Sequence, residues 1–579
     1  MGKRINPETK DLLVTWNRSS SIPVVRLAGE KCSGNGFPGD SQVFCPWFTG
    51  FIANRSHLVK ELDLPQNITD CQLLVHLYQR HGSRTAQYLT GQFAWILWDG
   101  KRRELIAAGD RMGNHGLYYT LSGDSVLLSN RVEPLLNELP GSATLNSRSI
   151  VGMLHGDAPL AGETFYENIN AVEWGGLLTI TPKNIHNTLY WKLEPQPLLR
   201  LSSDTEYADA LRELLFKVAA EYTPPYPSGI MLSSGMDSTS AAVSICRAVP
   251  TADLTAFTWA TPGLPEADES HYASLVSKHL DIPMVNIRVD LYWPLSSLEG
   301  IKTPKSEPCY NGFAEAWSET YREVNQRKIN VLFTGSGGDN LFGGGINAYP
   351  DLLLSGRWIQ LVRQFRTQLT ETKMTFKKMV RRHILVPIFK AYMPGWPKPK
   401  SPVPWLGKQY HDLYRETFGR TELSRCLLPG RQLRLVVLGF PSLRLAMARG
   451  NAEGEAHGIQ FRHPLLDHRL IEFAASLPAS QSFRPGNSKF ILRNAMQGYL
   501  PGDVLNLQDK IIPLPLAHRG YREREREKLW PLLTDMRAAA MGFVDEKQIQ
   551  AAYKDYLEDR GTTMFIYAAV LEDWLRRYF

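Results

Sequence analysis

The sequence predicts an α/β protein in two parts, a sandwich of two β-sheets flanked by helices, then a doubly wound parallel sheet with helical additions. Three observations predict it. Short alternating apolar runs separated by turn residues fill residues 1–195. From about residue 200, β-rich runs alternate with amphipathic helical segments, the pattern of a parallel sheet covered on both faces. Two of these later strands, Ile230–Leu232 and Val331–Phe333, run straight into Gly/Ser-rich turns that each carry one aspartate. At 579 residues the chain needs two or more domains, since single cores rarely exceed ~250–300 residues.

Composition narrows the class. A hydrophobic fraction of 43% and a charged fraction of 21% describe a globular protein rather than a disordered or fibrous one. The net charge of +7 is small for this length, so no nucleic-acid partner is expected, and an acidic or phosphorylated substrate is compatible. The six cysteines (Cys32, Cys45, Cys71, Cys246, Cys309, Cys426) form no C-x-x-C pair, which favours free thiols in a reducing cytoplasm. The first residues carry no apolar signal region, and no run reaches the ~18 apolar residues of a membrane span. The expectation is a cytoplasmic enzyme with no membrane contact.

Taken in order, the first part predicts strands at Asp11–Trp16, Val24–Leu27, Phe48–Ala53, Phe93–Trp98, Glu104–Ala108, Gly116–Thr120, Val126–Ser129 and Gly176–Thr181. A helix over Asp70–His81 interrupts them, with Leu73, Leu74, Leu77 and Tyr78 at helical spacing. A Pro-containing connector (Pro195, Pro197) then leads to a helix over Thr205–Tyr222.

Next comes the stretch Gly229–Ser240, G-I-M-L-S-S-G-M-D-S-T-S. A buried strand, a small-residue loop and a helix from Thr239 form a device for holding phosphate, because free backbone N–H groups and the positive helix end face the loop. Asp237 has the wrong sign to bind phosphate unaided; a bridging Mg²⁺ would explain it. The structural alternative is a plain Ser/Gly turn. No G-x-x-x-x-G-K-[ST] occurs, which disfavours kinases and GTPases of that type. A strand at Leu254–Trp259, a helix at Asp268–His279 and a strand at Val285–Val289 follow. The second Gly-rich turn, T-G-S-G-G-D-N over Thr334–Asn340, presents Asp339. Two lone aspartates on separate loops suit a shared Mg²⁺ on ATP phosphates.

Beyond residue 345 the chain reads as helical to about 450, with a basic stretch (Arg357, Arg363, Arg366, Lys373, Lys377, Lys378, Arg381, Arg382, Lys390) and a Pro-rich linker up to Trp405-Leu406. A solvated helix face is the commoner explanation of such a run. The functional one is a surface for an acidic peptide or partner. Arg522–Lys528, alternating Glu and Arg, reads as an exposed helix.

Several pieces resemble known families. S-x-G-x-D-S resembles the pyrophosphate loop of the ATP-pyrophosphatase superfamily, with Ser234 in place of the usual first glycine. F-I-A-N-R (51–55), L-T-G-Q-F-A-W-I-L-W-D (89–99) and A-G-D-R-M-G-N-H-G-L-Y-Y (108–119) are similar to the glutaminase domain of asparagine synthetases. V-L-F-T-G-S-G-G-D-N-L-F-G-G (331–344) resembles that family's second loop, with Asn340 for the usual Glu. S-E-P (306–308), G-I-Q-F-R-H-P-L-L-D (458–467), K-F-I-L-R-N-A (489–495) and L-P (500–501) through D-K (509–510) resemble its later motifs.

The resemblance implies an N-terminal-nucleophile glutaminase-like αββα sandwich over 1–195. It also implies an adenylating ATP-pyrophosphatase-type domain over 200–579, with the basic helical insertion at about 351–410. ATP and Mg²⁺ are the implied cofactors. Implied ATP-site residues are Leu232, Ser233, Ser234, Gly235, Asp237, Ser238, Trp259, Thr334 and Gly335. Asp237 and Asp339 would hold the metal, Lys510 would stabilise charge during adenylation, and Glu307, Tyr310, Gln460 and Arg462 would line the acceptor pocket.

Two departures set the expected substrate. A glutaminase of this type needs Cys as its first residue, and position 2 is Gly, so the domain should be inactive. Gln460 stands where the family places a proton-transferring Glu. With the length and the insertion, these look most like a lasso-peptide macrolactam synthetase, which joins a peptide's own amine to an Asp or Glu side chain. A precursor core peptide is then the substrate, with a leader peptidase and a leader-recognition protein as optional partners. An asparagine synthetase or β-lactam-synthetase-like small-molecule ligase, a nucleotide-modifying ATP-pyrophosphatase and a non-catalytic peptide-binding homologue stay open.

Overall fold

A computed structural model describes residues 12–19, 23–27, 30–31, 43–139, 143–297, 301, 303–343, 348–372, 374–393, 401–418, 427–439, 441–507, 511 and 514–579. Gly2, Cys32, Lys373, residues 394–400 of the Pro-rich linker, Cys426 and Lys510 lie outside the described residues.

The first part is built from eleven described strands: β1 Leu12–Asn17, β2 Val24–Leu27, β3 Glu30–Lys31, β4 Val43–Ile52, β5 Gly91–Asp99, β6 Glu104–Gly109, β7 Tyr118–Ser122, β8 Ser125–Ser129, β9 Asn170–Ala171, β10 Gly176–Ile180 and β11 Ile185–Leu189. They make two antiparallel sheets, ordered β3-β2-β1-β8-β7-β9 and β11-β10-β6-β5-β4. Alternation decides which sides meet. Leu12, Val14 and Trp16 of β1 face Ala94, Ile96 and Trp98 of β5 across the sandwich, with Trp16 and Trp98 edge-on at 5.0 Å. Phe93, Trp95 and Leu97 point the other way, onto the helix Asp70–His81 through Leu73, Leu74, Leu77 and Tyr78. That helix starts in a capping box, with the Thr69 hydroxyl accepting from the Gln72 N–H and the Gln72 side chain accepting from the Thr69 N–H. The outer face of the other sheet is covered by helices Val132–Glu138 and Ser147–Met153. The layer order is therefore αββα.

The second part is centred on a wholly parallel sheet of β12 Ser228–Met231, β13 Leu254–Ala260, β14 Met284–Arg288, β15 Val331–Phe333 and β16 Gln460–Arg462. Its spatial order is β14-β13-β12-β15-β16. The chain winds outward from β12 to β14, then returns to lay β15 on the opposite side of β12. That reversal opens a crevice above the carboxyl ends of β12 and β15, where doubly wound sheets bind ligands.

Arg522–Lys528 lies on helical turns with Glu523, Arg524, Arg526 and Glu527 exposed, as the charge pattern predicts, while Arg522 is half-buried, paired with Asp559 and donating to the Tyr556 carbonyl. The last helix, Phe565–Tyr578, buries Trp574 and returns to the sandwich's outer helices, in one core with Leu13, Leu127, Val132 and Leu135. Apolar burial outweighs the charge pattern here, because a Trp that size contributes more by leaving water than a surface ion pair does. Cys45, Cys71, Cys246 and Cys309 are free thiols. Among the described residues no helix is long and apolar enough to cross a membrane.

Candidate active site

The crevice is built by the loops that leave β12 and β15. After β12, Gly235 is the N-cap of a helix that runs Met236–Ala248, three residues earlier than the pattern suggested. Asp237 therefore sits in the first helical turn, where the dipole favours its carboxylate. The loop is tied internally: the Ser233 N–H donates to Ser238 Oγ (3.1 Å), the two hydroxyls lie 2.8 Å apart, and the Gly235 N–H donates to Ser233 Oγ (3.2 Å). Ser234 Oγ donates to Glu269 (2.9 Å), and Leu232 is buried beneath.

After β15 the chain turns through Thr334 and Gly335 into the helix Gly338–Phe342, with Asp339 in its first turn. The two loops interlock so closely that two glycines are obligatory. A Cβ on Gly335 would lie 2.4 Å from the Ser238 backbone nitrogen, and one on Gly338 would lie 2.1 Å from the Asp237 carboxylate.

Between the two carboxylates lies Lys489. Its Nζ is 2.6 Å from Asp237 Oδ2 and 2.7 Å from Asp339 Oδ1, and the residue is 9% exposed. It precedes the helix Phe490–Ala495 in a left-handed conformation, φ +54°, which turns its side chain from the helix end toward the crevice. The K-x-x-L-R-x-A segment is legible in the sequence, but nothing local in it gives Lys489 a role. Arg493, one turn on, donates to the carbonyls of Leu505 and Leu507 and so fixes the segment that leads to Lys510, itself outside the described residues. Ser234, Gly235, Asp339, Lys489 and Arg493 line one cleft.

The other expected ligand contacts are placed as follows. Trp259 is half-buried, its indole N–H donating to Thr320 Oγ1 (3.0 Å) and its ring against Trp317 and Phe313. Thr334 Oγ1 donates to Ser336 Oγ (2.9 Å) and lies 2.7 Å from His463 Nδ1. Burial, and secondarily His115, pushes His463 down to about 3, so it is neutral. Its other ring nitrogen meets Asn451 Oδ1 at 3.1 Å, and its backbone N–H donates to Gln92 of the sandwich.

None of the four acceptor-pocket residues is among those lining this cleft. Glu307 is clamped by both arms of Arg449 (2.5 and 2.7 Å), and the Tyr310 phenol oxygen accepts the Leu295 N–H (2.7 Å), with burial pushing the phenol up to about 12. Gln460 stands at the start of β16, donating to the Gly50 carbonyl of the sandwich (3.0 Å) and accepting from Arg462 (2.8 and 3.0 Å). Arg462 also donates to the Tyr222 carbonyl and lies over the Phe51 ring at 4.1 Å. Gln460 and Arg462 thus join the two domains, which is a packing task that an amide performs without a buried charge.

Two carboxylates that share one cation, beside a helix N-terminus with loop hydroxyls, can accommodate a polyphosphate and a hard divalent ion. Among the described residues no group of three or more His, Cys, Asp or Glu is gathered to hold a metal. Asp237 and Asp339 fit an ion such as Mg²⁺, which takes few protein ligands and completes its shell with phosphate and water oxygens.

The asparagine synthase family matches residues 218–576, and a glutamine amidotransferase domain matches residues 41–191. The chain is 25% identical over 558 residues to the amidase chry2 of Gibberella zeae, covering 86% of this chain and 80% of that protein. It is 25% identical over 554 residues to the amidase chyE of Penicillium rubens, covering 84% and 78%. It is 23% identical over 529 residues to the glutamine-hydrolyzing asparagine synthetase 3 of Bacillus subtilis, covering 87% and 80%. With a family match spanning well over half of its length, this protein belongs to the asparagine synthase family, as an ATP-dependent carbon–nitrogen ligase of asparagine synthetase type.

Proposed function

We propose that this ligase closes a macrolactam, joining the N-terminal amine of a peptide to an Asp or Glu side-chain carboxylate of the same peptide. What supports this choice is a departure from the family pattern: residues 1–31 contain no cysteine, where the glutaminase resemblance places its nucleophile. On this reading the amine is carried by the acceptor itself, and a folded peptide supplies it by proximity.

The chemistry proceeds in two steps. A carboxylate oxygen attacks the α-phosphorus of ATP and pyrophosphate leaves, forming the acyl-adenylate. The peptide amine then attacks the adenylated carbonyl, losing its proton, and AMP leaves. Ser233, Ser234, Gly235 and Ser238 hold the departing pyrophosphate at the start of the helix Met236–Ala248. Asp237 and Asp339 would hold Mg²⁺, which supplies charge neutralisation at the phosphates. Lys489 removes the repulsion the two aspartates would otherwise feel and presents a cation to the cleft. Lys510 is the further candidate for stabilising developing charge.

The test is incubation with ATP, Mg²⁺ and candidate peptides, following AMP, pyrophosphate and loss of one water from the peptide. ADP as product overturns the adenylation. The relation to a glutamine-hydrolyzing asparagine synthetase favours a second reading, a ligase for a free amino acid. Asparagine formed from aspartate and ammonia, with AMP released and no peptide present, would replace the macrolactam with that reading.

A further inference from the structure

Residues 351–392 hold nine Lys or Arg against two Asp or Glu, a surplus of seven in a chain whose total is +7. The excess basic charge is therefore concentrated in one helical excursion, and the remainder of the chain is balanced. The excursion comprises the helices Ala348–Leu354, Trp358–Glu371 and Phe376–Val380, the last continuing through the π-turn Arg381–Leu385 into Val386–Tyr392. Its small core is Tyr349, Leu352, Leu361, Phe365, Met379 and Ile384.

The outward faces are not those of a solvated helix bundle. Ile359 is 89% exposed, Phe376 64% and Trp358 59%. Leu385, Phe389 and Met393, four residues apart, form an exposed stripe along the third helix. All eight described basic side chains from Arg357 to Lys390 are exposed, and among the described residues none forms an ion pair. Exposed large apolar side chains mark an interaction site, and flanking Lys and Arg without ion-pair partners among the described residues match the composition of a face that lies in a membrane interface.

We propose that this excursion binds the surface of an anionic lipid bilayer, resting the enzyme on it peripherally. The apolar side chains enter at headgroup depth and the basic ones meet the lipid phosphates. Shape favours a bilayer over an acidic protein. A protein partner for protruding side chains must supply matching hollows, whereas a fluid interface accepts protrusions as they stand. The inference departs from the expectation of no membrane contact, and it does not depend on which amide is made.

The test uses the full chain and sedimentation with vesicles of phosphatidylcholine alone or with about 30% phosphatidylglycerol, at low and near-physiological salt. Binding to the anionic vesicles is expected, at least about tenfold weaker without phosphatidylglycerol and falling with salt. Charge reversal at Lys377, Lys378, Arg381 and Arg382 (→Glu) should abolish it. Trp358→Ser with Phe389→Ser should weaken it about tenfold at constant charge. Nucleotide turnover of each variant reports that the fold is intact. Absence of binding at low salt overturns the proposal, as does binding that survives both variants. A dimer in sizing chromatography that the same variants break overturns it in favour of a second copy of this chain.

Discussion

At the scale of single residues, the centre of the protein is one lysine between two aspartates. Lys489→Met should lower ATP-dependent turnover by about 10²–10³-fold, the usual loss for one preorganised electrostatic group. Asp237→Asn should do the same, and pyrophosphate release measures both. Unchanged turnover in Asp237→Asn would remove this cleft from the reaction. Gly338→Ala places a methyl where the Asp237 carboxylate lies, 2.1 Å away, so activity should fall while stability in urea unfolding drops by about 1–3 kcal/mol, as for an ordinary overpacked site. Gln460 gives the opposite prediction. If a base were needed at this position, Gln460→Glu would raise turnover by about 10²-fold or more. Because Gln460 is bonded to Gly50 at the domain junction, no rise is expected, and a steady-state assay decides it. The sequence showed both aspartates, since each follows a strand into a Gly-rich turn. It gave no reason to choose Lys489 among the lysines, because the partners that define its role are 252 and 150 residues away.

At the scale of elements, periodicity was a good guide wherever one face is buried. The helix Asp70–His81 follows its Leu73, Leu74, Leu77 and Tyr78 stripe to the residue, and its capping box accounts for the start. Thr69→Ala should cost about 1 kcal/mol in chemical denaturation, because it frees one backbone donor. The helix Met236–Ala248 was legible in existence and three residues off at its start. It has no side-chain cap, so nothing in the letters marks Gly235 as its boundary. β4 runs Val43–Ile52, far longer than the Phe48–Ala53 pattern, because a register irregularity between Phe44 and Trp47 breaks the alternation.

At the scale of the whole molecule, the junction between the parts holds a group of buried histidines that titrate with folding. His463 is pushed down to about 3 by burial, then by His115, and His468 to about 4 by burial, then by Arg111. The folded state holds both neutral while the unfolded chain protonates them near pH 6.5, so the unfolded state binds more protons as pH falls. The contribution of these two histidines should therefore be complete above about pH 6.5 and should drop below it, by about 2 kcal/mol per histidine at pH 5. The ion pair of His115 and Glu455 (2.9 Å) adds a second window. Despite burial, Glu455 raises His115, a contribution present below the unfolded value and lost as pH rises through the folded one. Despite burial, His115 lowers Glu455, a contribution lost as pH falls through its folded value. Urea unfolding at pH 7.5, 6.5 and 5 measures the trend, and His463→Gln should flatten its acid limb.

The sequence by itself determined the two-part α/β plan, the sandwich faces and the two aspartate loops, because these rest on local physics. Period-two and period-3.6 burial, turn residues and helix starts are written within a dozen neighbouring letters. Only the tertiary structure decided which cation joins the aspartates, that Gln460 and Arg462 join domains, and that the last helix returns to the sandwich. Each of those depends on partners brought together by chain reversal, such as the return of β15 beside β12, and no local pattern encodes which distant side chain will be opposite.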